Sequence, residues 1–216
     1  MLPLLKATHA HPLEREYEGW IVAGIERYFE SLKITYAIWA ISPDLEATWP
    51  ADERLNVEGK FVGLQFKQAK LAAGPLKFDR LKWSLHQPKG QFELPQATPA
   101  IFYCLPTFAN RSARNEALDH CLFWRPEAAV DYNAWYDNPA ALTPYKQLRN
   151  AMRWGSFVEA LFACTAGVRT AGAEDALRAV KRIHALTAEY LGTRTDQSPH
   201  LEHDLGLYAL FVALDG

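Results

Sequence analysis

An uninterrupted apolar run, Ala-Ile-Phe-Tyr-Cys-Leu at residues 100–105, constrains the fold of this chain more than any other feature. A strand with one face in water alternates apolar and polar residues, whereas a strand covered on both faces reads as a continuous apolar run. Residues 99–106 are therefore predicted to form a central strand. Helices on both sides of a sheet would supply that cover, which favours an α/β architecture.

The rest of the chain supplies elements that fit around this strand. Apolar residues recur at three-and-four spacing over residues 13–32, which predicts an amphipathic first helix. Residues 34–41, 60–67 and 122–124 are predicted strands, residues 112–120 a helix, and residues 78–94 fit either state. Helix-forming residues dominate 142–153, 156–164 and 173–190.

This order predicts an α/β fold with a mixed sheet flanked by helices and a mainly helical carboxyl-terminal third. We expect an α/β core over residues 1–130 and a mainly helical extension over residues 131–216 that packs on it. The longest apolar runs, 100–105 and 205–214, are shorter than the roughly 20 residues of a membrane helix. The amino terminus lacks a basic start and a long apolar core, so we expect neither secretion nor membrane insertion.

Charge and cysteine content narrow the function classes. The net charge of −2 provides no overall attraction for nucleic acid, so a nucleic-acid function has to reside in a local site. Cys104, Cys121 and Cys164 are an odd number of widely spaced residues among apolar neighbours. They are predicted to be buried, reduced thiols in a cytoplasmic protein, without a shared metal.

Two acids and a glutamine-lysine pair form the motif that predicts a catalytic site. Glu46 and Asp52 lie six residues apart around a predicted turn, and Gln65-Phe66-Lys67 follows on a predicted strand. Residues two apart on a strand point to the same face, so Gln65 and Lys67 project together. An oxygen ligand thus lies beside an amine.

Such a set is suited to hydrolysis of a phosphodiester bond. Carboxylate and carbonyl oxygens hold Mg²⁺, which lowers the pKa of a bound water and offsets charge on the phosphate. In this interpretation Asp52 is the indispensable metal ligand, with Gln65 as a weaker neutral ligand and Glu46 as a further acid. Lys67 stabilises the charge that develops on the phosphate.

At these residues the sequence resembles the PD-(D/E)xK superfamily of nucleases, whose core combines an acid-bearing first helix with a strand pair ending in an acid-x-lysine element. The string from Glu46 through Ala51-Asp52 to Gln65-Phe66-Lys67 resembles the branch in which glutamine replaces the usual acid. The resemblance covers the first half of the chain. It implies a restriction-endonuclease-like core, Mg²⁺ or Mn²⁺ as cofactor, DNA as substrate and a role in restriction or phage defence.

The resemblance also implies a carboxylate from the first helix, where Glu14 and Glu18 lie four residues apart and Glu18 is the preferred candidate. A second Gln-x-Lys triplet, Gln68-Ala69-Lys70, leaves the register open. The first triplet is preferred because it lies within the apolar alternation, whereas the second falls where the strand should end.

A second class of function remains open. The chain has no glycine-rich phosphate loop and no Gly-x-Ser-x-Gly elbow, which leaves nucleotide-dependent and serine-hydrolase readings without support. The rival hypothesis is a catalytically inactive, nuclease-like module that binds a protein or nucleic-acid partner. Gln65 in place of an acid and the mildly acidic charge balance favour it.

Geometry distinguishes the two hypotheses, because a nuclease needs Asp52, Gln65 and Lys67 to converge in one accessible cleft. The sequence leaves open DNA against RNA and internal against terminal cleavage. Cutting both strands of a duplex with one site per chain would call for a homodimer or a partner subunit.

Overall fold

The computed structural model describes residues 11–41, 58–73, 79–85, 93–126, 148, 150–191 and 207–214. The elements are, in chain order, α1 Glu14–Leu32, β1 Tyr36–Ala40, β2 Gly59–Phe66, β3 Lys70–Ala73, β4 Asp79–Lys82, α2 Leu94–Ala97, β5 Ile101–Pro106, a 3₁₀ helix Arg111–Glu116, β6 Cys121–Trp124, α3 Trp154–Phe162, β7 Val168–Thr170, α4 Ala173–Leu191 and β8 Leu207–Ala213. Within these segments, none of the helices has both the length and the apolar character needed to cross a bilayer.

The main sheet is mixed and open. Its strands lie in the order β1, β8, β2, β5, β6, and β7 pairs with the first residues of β2. The β2–β5 pair is parallel, and the other pairs are antiparallel. The predicted strands at 34–41 and 60–67 therefore share one sheet, as expected, but β8 lies between them. Strands β3 and β4 form a separate hairpin-like pair.

Helices cover both faces of this sheet. Val62, Leu64 and Phe66 of β2 belong to the core cluster that includes the buried face of α1. Phe61, on the opposite face, packs with Val180 and other residues of α4. Every residue of β2 is buried, which accounts for its nearly continuous apolar sequence.

Helix α1 follows the predicted pattern and packs one face on the sheet. Tyr17, Ile21, Ile25 and Phe29 recur at helical spacing, and all four are fully buried. The helix ends at Lys33, which takes the left-handed conformation with φ of 58°. The predicted first helix is thereby confirmed.

The first turn of α1 is anchored by its own acids. The Glu16 carboxylate accepts from the Leu13 amide at 2.8 Å and binds the Arg111 guanidinium through two bonds of 2.7 Å. The guanidinium and the Leu13 amide hold the pKa of the Glu16 carboxyl below its usual range. This fork joins the start of α1 to the 3₁₀ helix.

The carboxyl-terminal third differs from the prediction of a mainly helical extension. Helices α3 and α4 occupy the predicted ranges 156–164 and 173–190, but β7 and β8 also come from this part of the chain. Strand β8 pairs with β1 on one side and β2 on the other. The apolar run at 207–213 is the same kind of signal that predicted β5, and it forms an interior strand for the same reason.

Three shorter segments also differ. The predicted helix at 142–153 lies largely outside the described residues, and its described end is not helical, because Met152 forms an antiparallel bridge with Phe123. The predicted helix at 112–120 is a 3₁₀ helix over Arg111–Glu116. The ambiguous stretch 78–94 contains β4 and, at its last residue, the start of α2.

The three cysteines are free thiols, as predicted. Cys104 and Cys121 are buried, but Cys164 is exposed, which corrects the expectation that all three are interior. Cys164 lies beyond the end of α3 and takes a left-handed conformation with φ of 60°, so it no longer continues the buried face of that helix.

Tight contact between β2 and β8 provides a test of the fold. A Cβ added at Gly59 would lie 2.7 Å from the backbone oxygen of Val212 and would also overlap the Phe211 ring. We expect Gly59→Ala to lower the free energy of unfolding by about 1–3 kcal/mol, the usual cost of overpacking. Urea unfolding followed by circular dichroism measures this change.

Gly19→Ala is the matched control, because a Cβ there meets nothing within 4 Å and the residue lies inside α1. This substitution should raise the free energy of unfolding by about 0.5–1 kcal/mol, since alanine favours a helix over glycine. Equal effects of the two substitutions would contradict the described pairing of β2 with β8.

Candidate active site at the end of strand β2

The candidate site lies where β2 and β5 end, beneath the start of α1. Because β2 and β5 are parallel, their carboxyl ends share one edge of the sheet. The Tyr17 hydroxyl of α1 donates to the carbonyl of Phe108 at 2.9 Å and also lies 3.4 Å from the carbonyl of Ala69. These bonds hold the first turns of α1 over that edge, which is where open α/β sheets place their ligands.

Gln65 is the second-to-last residue of β2 and is only 1% exposed. Its in-register neighbours are Tyr103 of β5 and Leu207 of β8. Adjacent residues in register point to the same face, so Gln65 projects away from the face that carries Leu64 and Phe66. The predicted alternation is confirmed for this part of β2.

Tyr103 fixes the surroundings of Gln65. Its hydroxyl donates to the carbonyl of Leu85 at 3.1 Å, and its ring stacks on Trp124 at a centroid distance of 6.1 Å. Burial raises the pKa of Tyr103 well above its ordinary value, so the hydroxyl stays protonated at neutral pH. Gln65 therefore lies in a largely apolar row.

Lys67 is the first residue after β2, and its side chain is buried, with 2% exposure. Its backbone amide donates to the carbonyl of Cys104 at 3.2 Å, which extends the pairing with β5 by one bond. Burial lowers the pKa of Lys67 from 10.5 to about 8, and the negative charge of Glu14 opposes that change. Burial of the charged ammonium of Lys67 therefore costs desolvation free energy.

Glu14 makes a contact with the residues after β2 that the sequence pattern does not predict. Its Oε2 accepts from the Gln68 amide at 2.9 Å, and the Gln68 side chain donates to the Pro12 carbonyl at 2.7 Å. The sequence offers both Glu14 and Glu18 as acids of the first helix and favours Glu18. Only the described geometry links it to the residues after β2, because the two segments lie 54 residues apart.

Glu18 lies on the buried side of α1 and is 5% exposed. The pKa of the Cys104 thiol is raised mainly by burial, then by Cys121, and also by the negative charge of Glu18. Cys104 is the in-register partner of Phe66, so Glu18 borders the same ends of β2 and β5. It does so on the α1 side of the sheet, whereas Gln65 projects to the other side.

Glu18, Gln65 and Lys67 therefore lie at one end of the sheet, and the other two predicted site residues, Glu46 and Asp52, fall outside the described residues. Within the part of the chain that is described, no three His, Cys, Asp or Glu side chains are grouped to hold a metal. The predicted donors are carboxylate and amide oxygens, and this chemistry suits Mg²⁺.

The register of the Gln-x-Lys motif is better defined. β2 ends at Phe66, so Gln65 lies within the strand and Lys67 directly follows it. Gln68 is half-buried in the connection to β3, and Lys70 is exposed at the start of that strand. Gln65 and Lys67 are thus buried at the carboxyl end of β2, whereas Lys70 faces solvent.

Comparison with protein-family models, with curated proteins and with solved structures found no match to this chain. A functional assignment therefore depends on the residues themselves. Three polar side chains buried at the shared end of two parallel strands are the feature that calls for explanation, since glutamate, glutamine and lysine are seldom this deeply buried.

The depressed pKa of Lys67 makes stability depend on pH. Between its folded value of about 8 and its ordinary value of 10.5, the unfolded chain binds more protons at this residue than the folded chain does. The free energy of unfolding therefore rises with pH across this window, whereas below it the cost of burying the charge is fully present. We expect Lys67→Met to be more stable than the parent at pH 7, with the difference shrinking toward pH 10.

Urea unfolding at pH 7, 8.5 and 10 in a chelator measures this difference. Lys70→Met is the matched control, because Lys70 is exposed and its substitution should change stability equally at all three pH values. A constant difference between the parent and Lys67→Met across the series would contradict a buried, readily deprotonated Lys67.

Proposed function

We propose that this chain is a metal-dependent nuclease that hydrolyses phosphodiester bonds of DNA in restriction or phage defence. The observation that carries the proposal is the burial of Lys67, with Gln65 and Glu18, at the carboxyl ends of β2 and β5. Strongly perturbed lysines with a nearby carboxylate occur preferentially at functional sites.

The cost of this arrangement supports a functional role. Burying an amide or a charged group costs desolvation free energy even when the group has partners, and apolar side chains at the same positions would avoid that cost. The neighbours on β2, from Phe61 to Phe66, are mostly apolar and equally buried. Gln65 and Lys67 project to one face at the carboxyl end of β2, and this pairing of polar groups favours a chemical role over a packing role.

The order of elements is consistent with a restriction-endonuclease-like core. An acid-bearing helix, α1, packs on a sheet in which β2 ends in Gln-x-Lys and has β5 as a parallel partner. The sequence resemblance itself depends on the string from Glu46 through Ala51-Asp52 to Gln65-Phe66-Lys67, of which the described residues include the last three. The proposed site uses the carboxyl ends of parallel strands, the usual position of ligands in such sheets.

In the proposed mechanism Asp52, Gln65 and Glu46 would hold Mg²⁺ or Mn²⁺. When bound, such a metal would supply a water of lowered pKa and would offset negative charge on the phosphate. Lys67 donates to a phosphate oxygen in its protonated form and stabilises the charge that develops during attack. Its buried surroundings strengthen that interaction relative to water.

Glu14 and Glu18 act on the lysine and its surroundings. The negative charge of Glu14 favours the ammonium form of Lys67 against the effect of burial, which keeps the donor charged near neutral pH. Glu18 contributes a second carboxylate from α1 beside β5. Glu14 positions the catalytic lysine and is not itself required to touch the phosphate.

The second candidate function is a catalytically inactive, nuclease-like module that binds a protein or nucleic-acid partner. Its support is that Gln65 and Lys67 are 1% and 2% exposed, so they do not line an open cleft. Gln65 also lacks the charge of the acid that the active pattern usually carries. In this alternative the polar residues maintain the fold inherited from a nuclease.

The proposal has consequences for assembly and location. One site per chain cuts one strand, so duplex cleavage calls for a homodimer or a partner subunit. Three free thiols without a disulfide framework are consistent with a cytoplasmic protein, where thiols stay reduced.

The decisive experiment compares Asp52→Ala with Lys67→Ala in cleavage of plasmid and single-stranded DNA and RNA. With Mg²⁺ or Mn²⁺, Asp52→Ala should abolish cleavage, because it removes the principal metal ligand. Lys67→Ala should slow cleavage by about 10²-fold while retaining metal binding, the usual effect of losing one electrostatic donor. Gel analysis of products and calorimetric metal titration measure the two effects.

Lys70→Ala removes a lysine three residues away that is exposed, and it should cleave at the parental rate. Gln65→Glu should preserve or raise metal affinity, because a charged oxygen replaces a neutral one in nearly the same volume. Parental cleavage by Asp52→Ala would refute the site, and inactivity of the parent with every metal and nucleic acid would favour the binding module.

A further inference from the structure

A groove of about 480 Å³ opens at the other end of β2, between β7, the residues that precede β5 and the first half of α4. Its lining includes three arginines, Arg169, Arg178 and Arg182. β7 pairs with residues Gly59 to Phe61, so Lys67 lies about 20 Å farther along the strand direction at the usual rise per residue. The groove is therefore separate from the candidate active site.

The floor of the groove is apolar, and the hydroxyls of its two threonines form hydrogen bonds within the protein. Val168 and Ala179 are half-buried and provide apolar surface to the groove, and Ile183 and Ala100, at 1% and 3% exposure, complete the floor. The Thr98 hydroxyl accepts from the Ala100 amide at 3.3 Å, and the Thr170 hydroxyl donates to the Gly59 carbonyl at 3.3 Å. Both threonines are used within the protein, so the floor presents apolar surface.

The rim of the groove carries an excess of positive charge. Arg169 pairs with Glu58, and Arg178 pairs with Asp175, whose other oxygen accepts from the Ala171 amide at 2.9 Å. Arg182 forms no ion pair with any residue that the structure describes, and it lies four residues after Arg178, on the same side of α4. Asp175 is the single acid among the lining residues.

We propose that this groove binds an organic phosphate the size of a mononucleotide. Guanidinium groups match phosphate oxygens in a two-bond fork, which makes an arginine cluster a phosphate-binding surface. The volume falls in the range of pockets for small ligands. The apolar floor beside the arginines would hold the planar base while the rim holds the phosphate.

The apolar floor favours a compact ligand over a nucleic-acid backbone. A duplex presents its phosphates on a convex surface and needs cations, but it gains nothing from a recessed floor of isoleucine and valine. Inorganic phosphate would likewise leave the floor uncovered. The inference uses no residue of the candidate active site, so it stands or falls independently of the nuclease proposal.

Calorimetric titration of the full chain in a chelator tests the proposal, with AMP, GMP, CMP, UMP, adenosine and inorganic phosphate as separate probes. At least one nucleotide should bind, and inorganic phosphate and adenosine should each bind at least ten-fold more weakly. Arg182→Ala should weaken nucleotide binding about ten-fold or more, since it removes a charge-assisted contact.

Lys181→Ala is the matched control, because it removes the same charge from the adjacent exposed residue of α4, which does not line the groove. It should leave the affinity unchanged. Ala179→Glu, which adds an acid to the lining, should abolish binding. Circular dichroism verifies that each variant is folded.

Three results would overturn the proposal: no nucleotide binds, inorganic phosphate binds as tightly as any nucleotide, or Lys181→Ala weakens binding as much as Arg182→Ala. Duplex DNA that displaces the nucleotide and itself depends on Arg182 would show a backbone contact instead, which would also overturn it.

Discussion

The sheet depends on β8, which comes from the end of the chain and bonds to strands from its first third on both sides. β8 pairs along the whole of β1 and along most of β2, so within the described sheet it lies between these two early strands. Contacts between such distant segments cost much chain entropy to form and slow folding. The candidate active site at the end of β2 therefore requires β8 to be in place.

β2 itself combines two conflicting demands. Its middle is apolar and covered by α1 on one face and α4 on the other, which stabilises the sheet. Its carboxyl end carries Gln65 and is followed directly by Lys67, where buried polar groups reduce stability. The core therefore supports a polar end that would not persist on a marginal fold, an arrangement common at functional sites.

Local signals in the sequence account for most of the elements. The helical spacing of α1 and the apolar runs of β1, β2 and β5 were sufficient, because each of these patterns is complete within one segment. The position of β8 was not predictable in this way, since its apolar run shows that Leu207–Ala213 is buried but not which strands it joins. Met152 pairs with Phe123 for a similarly non-local reason.

The candidate site shows the same division. Alternation along β2 correctly put Gln65 opposite Leu64 and Phe66, because side-chain direction on a strand is a local property. The sequence did not reveal the contact between Glu14 and the residues after β2, which depends on how α1 crosses the sheet. The roles of Glu46 and Asp52 remain predictions from the motif alone.

Lys67 has a fixed main chain and a long side chain, and this contrast has a mechanical consequence. Its amide is bonded to the Cys104 carbonyl, and the next amide is bonded to the Glu14 carboxylate. Any movement of the ammonium must therefore come from rotation about side-chain bonds on a stationary pivot. The side chain is 2% exposed, so the packing around it restricts these rotations and holds the ammonium near the end of β2.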